Sequence, residues 1–261
     1  MTSQAQLQIL KAAAKAGGRE TLRFFDKPMK IRRKGPHGDA VTEADLASER
    51  AIFKILNSHF PDYNLYSEEA GTKNRGSEYT LVVDPLDGTF NFKYHMPLFA
   101  VSIALMKKEQ SIIGVIYVPS TSDMYTAVQN RGARKNGRRI SVRPTRVYSG
   151  AVVSYSHGWE ISHTELTQRS LRLVRLGVRR VVNTWSPALE LAWVADGKLD
   201  AFIGNRNSLH DIAAGKLIAR EAGATISYLP KSISHNDSET LFIASCTKQL
   251  GGALSKICKT L

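Results

Sequence analysis

Two aspartates three residues apart, Asp84 and Asp87, are the residues of this sequence best suited to chemistry. They follow an apolar run at 81–83 that is typical of a buried strand. Pro85 cannot donate a ladder hydrogen bond, so we expect the strand to end there and the chain to turn. A turn would bring the two carboxylates together, where they repel unless a cation lies between them. The segment therefore predicts a divalent metal site.

The residues that follow Asp87 suit a phosphate. Gly88 lets the backbone approach a ligand, and Thr89 offers a hydroxyl and a backbone N–H at the expected start of a helical turn, where anions bind. The competing interpretation is an ordinary Asp/Gly-rich turn with solvated acids. Such a turn does not need two acids and Gly-Thr directly after a buried strand, so a metal and phosphate site is favoured.

The spacing of the two acids separates two phosphatase families. Haloacid-dehalogenase-type hydrolases use DxDGT, in which a nucleophile and a general acid lie two residues apart on one strand face. The acids here lie three apart, and the segment instead resembles DPxDGTxNF, the signature of the inositol monophosphatase superfamily. The residues that match its fixed positions are Asp84, Pro85, Asp87, Gly88, Thr89, Asn91 and Phe92.

Three further segments resemble the same family. The segment DAVTEAD at 39–45 is similar to the family's DxVTxxD, and YSEEAG at 66–71 is similar to its GEE. The segment LHDIAAGKLIAREAGA at 209–224 is similar to its WDxAAGxxIxxEAGG. Two positions depart from the pattern: Ser67 replaces the usual glycine, and His210 stands where many members have tryptophan. The resemblance still covers most of the chain.

Each of these segments also has an ordinary structural interpretation. Thr42 followed by Asp45 is a common helix-capping arrangement, and Asp211 could likewise be an N-cap or first-turn acid. Adjacent glutamates such as Glu68 and Glu69 are usually solvated. The family spacing between Glu68 and the DPLDGT segment favours a role as a metal ligand.

The residue types themselves indicate the metal. Carboxylate oxygens are hard ligands that suit Mg²⁺ rather than zinc, and the sequence has no cysteine or histidine cluster. We expect two or three Mg²⁺ ions and hydrolysis of a phosphomonoester by metal-activated water, without a covalent nucleophile. The expected ligands are the side chains of Glu68, Asp84, Asp87 and Asp211 and, from the resemblance, the backbone carbonyl of Leu86.

The resemblance implies further roles at the matched positions. Glu68 and Thr89 are expected to orient the attacking water, and Asp45 is expected to hold Thr89. The backbone N–H groups of Gly88 and Thr89 are expected to bind the phosphate, close to Asp87. Together these residues form the expected catalytic and phosphate-binding set.

Substrate specificity is less constrained by the sequence. In inositol-processing members a glutamate contacts the sugar hydroxyls, and its place falls on Gly204 here. Trp185 replaces a small residue and could line the substrate pocket with Ser186, stacking on a sugar or base, or it could pack in the core. Arg206 could clamp a second phosphate or be a solvated loop arginine. A small polyol or sugar phosphate is the expected substrate, with fructose 1,6-bisphosphate, a bisphosphate nucleotide or NADP as alternatives.

The length of 261 residues and the hydrophobic content of 43% predict one or two packed domains. Helical periodicity covers 4–25 and 43–58, and residues 35–38 predict a loop between them that could be a flap. β-type runs between 98 and 128, separated by turn residues, predict an antiparallel meander. Alternating strands and helices are expected after residue 150.

A shift in composition at 130–144 predicts a domain boundary. It would divide the chain into an α+β half at 1–143, which carries most of the metal ligands, and a smaller α/β half at 144–261. The resemblance implies a layered αβαβα sandwich of the sugar-phosphatase type, with the metal site at the junction of the halves. It also implies a homodimer.

The net charge of +13 needs an explanation beside an acidic site. Basic runs at 30–34 and 134–139 would speed the approach of anionic substrates. The same charge could bind RNA or DNA, so a nucleic-acid or assembly factor on this fold is the rival class, although no basic–aromatic signature appears. With no apolar segment of signal or membrane length and two scattered cysteines, we expect a cytoplasmic protein without a membrane partner.

Overall fold

The computed structural model describes residues 1–34, 39–145, 148–158, 161–229 and 241–258. The predicted loop at 35–38 lies outside the described residues. Within the described part of the chain, no helix has the length and apolar character needed to cross a membrane.

The described residues form seven α-helices and fifteen β-strands. The helices are α1 (Ser3–Phe24), α2 (Glu43–His59), α3 (Thr89–Lys93), α4 (His163–Leu176), α5 (Pro187–Ala195), α6 (Leu209–Glu221) and α7 (Lys248–Cys258). The strands are β1 (Ile31–Lys34), β2 (Asp39–Thr42), β3 (Asn64–Ser67), β4 (Gly71–Lys73), β5 (Tyr79–Asp87), β6 (Ala100–Lys107), β7 (Gln110–Val118), β8 (Asp123–Val128), β9 (Ala133–Lys135), β10 (Arg138–Arg139), β11 (Val152–His157), β12 (Arg180–Val182), β13 (Ala201–Asn205), β14 (Thr225–Leu229) and β15 (Leu241–Ser245).

The larger sheet has eight strands in the order β10-β9-β8-β7-β6-β5-β3-β4. Strands β6 to β8 form the predicted antiparallel meander, which is confirmed, and β5, β9 and β10 extend it. Strand β3 joins β5 in parallel. Alternate residues of β5 face opposite sides. Leu81 and Val83 pack against α1 and α2, whereas Val82 packs in the core that α5 and α6 contribute.

The smaller sheet has five strands in the order β12-β11-β13-β15-β14. One face, with Phe202 and Phe242, packs against α5 and α6, and the other packs against α4 and α7 through Leu173, Leu250 and Leu254. Helices α5 and α6 therefore lie between the two sheets. The layers follow the order αβαβα, as the family resemblance implied, and the division into two domains stays a prediction.

The prediction that the strand would end at Pro85 is wrong. Strand β5 continues to Asp87, with a register shift in which Asp84 pairs with Ser102 and Asp87 pairs with Ala100. One extra residue is therefore accommodated in β5, and a bulge is a position where a strand tolerates a proline. The sequence also gave no signal for the β1–β2 and β3–β4 pairings, because these strands are short and lack alternating apolar residues.

Candidate metal centre and phosphate loop

The bulge in β5 turns two aspartates toward one point. The backbone N–H of Leu86 donates to Asp84 Oδ1 at 2.9 Å, and the Ser48 hydroxyl of α2 donates to the carbonyl of Pro85 at 2.7 Å. With the local backbone fixed in this way, one carboxylate oxygen each of Asp84, Asp87 and Asp211 lies within 4.8 Å of the other two. The structure thus brings together three of the four predicted carboxylate ligands.

Glu68 belongs to a second cluster that shares Asp84. It follows β3, and its backbone N–H donates to the carbonyl of Val83 at 3.2 Å. Ligand atoms of Glu68, Asp84 and His210 all lie within 4.8 Å of one another. Asp84 therefore stands between two potential cation positions, and His210 was not foreseen as a ligand.

The start of α5 holds Asp87 in place. Asp87 Oδ2 accepts hydrogen bonds from the Ser186 hydroxyl and from the backbone N–H groups of Ala188 at 3.1 Å and Leu189 at 3.3 Å. A carboxylate is stabilised at a helix N-terminus by such groups. Ser186, predicted as a substrate contact, is buried and its hydroxyl binds a predicted metal ligand.

Asp45 links the start of α2 to the segment from Gly88 to Phe92, the candidate phosphate loop. Its Oδ2 accepts from the Thr42 backbone N–H at 2.8 Å and from the Thr42 hydroxyl at 2.5 Å, which completes a capping box. Its Oδ1 accepts from the Thr89 hydroxyl at 3.2 Å, and that hydroxyl also lies 3.0 Å from the carbonyl of Leu86. In the structure Asp45 thus both caps α2 and contacts the Thr89 hydroxyl.

The phosphate loop requires a glycine at its first position. Gly88 has a φ of 91°, in the left-handed region, and a Cβ there would lie 2.8 Å from the carbonyl oxygen of Leu98. Asn91 then donates to the carbonyls of Leu98 at 2.6 Å and Thr184 at 2.5 Å. Phe92 is fully buried in a small apolar cluster. The last two residues of the DPxDGTxNF pattern thus hold the loop in place.

Glu49 orders the segment that carries Glu68. This buried residue of α2 accepts from the Ser67 hydroxyl at 2.5 Å and from the backbone N–H of Ala70 at 3.0 Å. Ser67, the departure from the family's glycine, has a structural use here. Sequence reasoning missed Glu49, although its position one helical turn after Asp45 places both acids on the same face of α2.

Glu190 plays the matching role for the loop before α5. It is fully buried and accepts from the Thr184 backbone N–H at 2.5 Å, the Thr184 hydroxyl at 2.8 Å and the Ser154 hydroxyl at 2.5 Å. Burial raises its pKa, which these hydrogen bonds partly oppose. No sequence pattern marks Glu190, because its partners come from a distant strand and a loop.

The charges and the burial of the acids in this site favour binding of a cation. Burial, followed by the charges of Glu68, Asp87 and Asp211, raises the pKa of Asp84 well above its ordinary value. Burial and then Asp211 raise the pKa of Asp87 in the same way. Buried acids this close are unfavourable as anions unless positive charge is supplied. The donor set, almost entirely carboxylate oxygen, fits a hard divalent cation such as Mg²⁺.

The residues predicted to set specificity have different surroundings. Trp185 is 54% exposed, with a left-handed φ of 55° and its ring edge-on to Phe90 at 6.3 Å, so the core interpretation is excluded. Arg206 is exposed, also with a left-handed φ. A Cβ on buried Gly204 would lie 2.4 Å from the ring of Phe242, so no glutamate fits at this position.

An αβαβα sandwich that sets two groups of potential metal ligands beside a glycine-threonine loop places the chain in the class of layered sugar-phosphatase-type folds. Comparison with known proteins gives the family. The inositol monophosphatase family model matches residues 3–257, and the chain belongs to that family.

Relatives in the family carry different functional names. The chain is 38% identical to an inositol-1-monophosphatase of Mesorhizobium japonicum, covering 87% of this chain and 86% of the relative. It is 35% identical to the Nus factor SuhB of Pasteurella multocida (72% and 71% covered) and 37% identical to a fructose-1,6-bisphosphatase of Pyrococcus furiosus (78% and 76%). These names refer to two phosphatase activities and to a Nus factor.

A solved structure confirms the fold. The extragenic suppressor protein suhB from Bartonella henselae superposes with a TM-score of 0.91 at 29% identity, covering 98% of this chain and 99% of that one. The predicted layered sandwich is therefore the fold of the protein.

The buried acid Asp45 predicts a pH dependence of stability. Burial raises its pKa from 3.8 to about 8, so between these values the folded state holds a proton that the unfolded state has released. This contribution is complete below the unfolded pKa and is lost as the pH rises toward 8, with a slope of up to about 1.4 kcal/mol per pH unit. Urea unfolding in EDTA across this range measures it.

Asp45→Asn should make the free energy of unfolding decline less with rising pH than it does in the wild type. Asp62→Asn is the matched control, because Asp62 is exposed, and it should leave the slope unchanged. An Asp45→Asn protein with the wild-type slope would show that Asp45 does not titrate as the structure indicates.

Proposed function

We propose that this protein is a Mg²⁺-dependent phosphatase that hydrolyses a phosphomonoester of a small polyol, sugar or nucleotide. One observation carries the proposal: carboxylate oxygens of Asp84, Asp87 and Asp211 lie within 4.8 Å of one another. Asp87 directly precedes the Gly88–Thr89 loop in the chain. Membership of a family whose relatives are named as phosphatases supports it.

Different residues of the site would have different roles in this reaction. Side chains of the two clusters, with the carbonyl of Leu86, would hold the ions. Bound Mg²⁺ supplies positive charge for the phosphate and lowers the pKa of water. Thr89 lies between Asp45 and the Leu86 carbonyl, so its hydroxyl can donate to either and accept from a water. Backbone N–H groups at Gly88 and Thr89 would bind the phosphate oxygens.

The substrate class follows from two features of the site. Gly204 leaves no side chain for the expected contact with inositol hydroxyls. Trp185 immediately precedes Ser186, which binds Asp87, and Phe90 immediately follows Thr89, so the two contacting aromatic rings lie together next to residues of the site. Aromatic faces bind sugar rings and bases by stacking. We therefore propose a substrate with a ring.

Asp84→Asn should abolish activity without unfolding the protein. Asp84 belongs to both clusters, so losing its charge disturbs both cation positions, and we expect turnover to fall at least about a hundredfold. Phosphate release is measured, with and without Mg²⁺, from inositol 1-phosphate, fructose 1,6-bisphosphate, 3′-phosphoadenosine 5′-phosphate and NADP. Asp62→Asn serves as the control. Wild-type protein that releases phosphate from none of these, or an Asp84→Asn protein that keeps its turnover, would contradict the proposal.

Trp185→Ala should raise KM while leaving kcat almost unchanged. Stacking on one aromatic ring is worth about 1–3 kcal/mol, so we expect an increase in KM of roughly fivefold or more on the preferred substrate. Size-exclusion chromatography of the same variant tests the proposed homodimer. An unchanged KM together with conversion to monomer would assign this exposed tryptophan to a subunit interface instead.

A second candidate function is nucleic-acid binding, which the relative named Nus factor SuhB and the net charge of +13 favour. Arg134, Arg138 and Arg139 are exposed on the β9–β10 hairpin. If this role exists, fluorescence anisotropy with single-stranded RNA should show binding that weakens steeply with salt. Replacing the three arginines by alanine should weaken it, and Asp84→Asn should not. Absence of binding at low salt would eliminate this candidate.

A further inference from the structure

His210 places an imidazole beside the carboxylates of the metal centre. It lies in the first turn of α6, next to Asp211, and a ring nitrogen lies within 4.8 Å of carboxylate oxygens of Glu68 and Asp84. Of the two metal-ligand clusters found among the described residues, this is the one that contains a nitrogen donor. The other, formed by Asp84, Asp87 and Asp211, offers oxygen alone.

The two ring nitrogens of His210 have different surroundings. Nε2 lies 3.3 Å from Asp211 Oδ1, whereas Nδ1 is buried and has no hydrogen-bond partner among the described residues. A buried polar atom without a partner is unfavourable, and native structures contain few of them. A cation bound at Nδ1 would give this nitrogen the partner that it lacks.

The ring is also held in an orientation suitable for a ligand. Its side chain is only 12% exposed, and the ring packs against Tyr66 with the centroids 5.9 Å apart. The backbone carbonyl of His210 accepts from the Ser102 hydroxyl at 3.3 Å. Histidines that bind metals usually donate their other N–H to a carboxylate, and Asp211 stands at that position.

We propose that His210 is a metal ligand through Nδ1. With this ligand, the cluster of Glu68, Asp84 and His210 binds Mn²⁺ more tightly than Mg²⁺. Imidazole suits first-row transition metals, whereas Mg²⁺ keeps oxygen ligands and water. The residue that the family pattern places here, tryptophan, has an N–H donor but no lone pair to offer a cation. The inference rests on the metal centre of the proposed function and adds a ligand to it.

Pulsed EPR of the Mn²⁺-loaded protein tests this ligand directly. A nitrogen bound to Mn²⁺ produces ¹⁴N modulation of the electron spin echo, which we expect in the wild type and not in His210→Phe. By calorimetry, His210→Phe should weaken Mn²⁺ binding by about tenfold or more. Mg²⁺ binding should change by less than about threefold, because its oxygen ligands remain.

Two further variants complete the experiment, one as a control and the other as a replacement for His210→Phe. His59→Phe removes an exposed histidine at the end of α2 and should change neither the modulation nor the affinity. Where His210→Phe does not fold, His210→Asn replaces it. Mn²⁺ bound without ¹⁴N modulation, or modulation that survives loss of His210, overturns the inference and leaves the metal centre standing. Wild-type protein that binds neither Mn²⁺ nor Mg²⁺ overturns the metal centre itself.

Discussion

The mutual repulsion of buried carboxylates is the constraint on which the rest of this structure depends. Asp84 and Asp87 are almost completely buried, and Asp211 lies within 4.8 Å of both. Burial and neighbouring charge raise the pKa values of the two buried aspartates, so the folded chain holds them as anions only at a cost in stability. A divalent cation bound between these acids would remove that cost.

The surrounding elements hold these acids in place despite the repulsion. The N-terminus of α5 donates to Asp87, and the bulge in β5 brings Asp84 toward it. Two further buried acids hold the segments around the site: Glu49 orders the segment before Glu68, and Glu190 orders the loop before α5. Since α5 and α6 lie between the two sheets, the acidic clusters combine residues from early and late parts of the chain.

The local parts of this arrangement could be predicted from the sequence. The DPLDGTFNF segment predicted a metal and phosphate loop, because its residue types and spacing have few structural uses, and the capping box at Thr42 and Asp45 is a local pattern. The strand across Pro85 was mispredicted because pairing with β6 outweighs the local preference of proline. Glu49, Glu190 and the ligand position of His210 depend on contacts between residues distant in sequence, which no local pattern contains.

Specificity is the property that the family fold leaves open. The same sandwich carries relatives named for inositol phosphate, for fructose bisphosphate and for a Nus factor, so the metal centre alone does not choose among them. In this chain the residues that depart from the family pattern are Trp185, Gly204 and His210, while the four carboxylates remain.

Asp84 belongs to both acidic clusters, so we expect two cation positions that share this residue. A crystal structure of the protein soaked in Mn²⁺, with anomalous diffraction measured near the manganese edge, would locate the bound ions. We expect two anomalous peaks that both contact Asp84, one beside Glu68 and the other beside Asp87 and Asp211. Peaks that avoid Asp84, or a fully soaked crystal with no peak between these carboxylates, would contradict it.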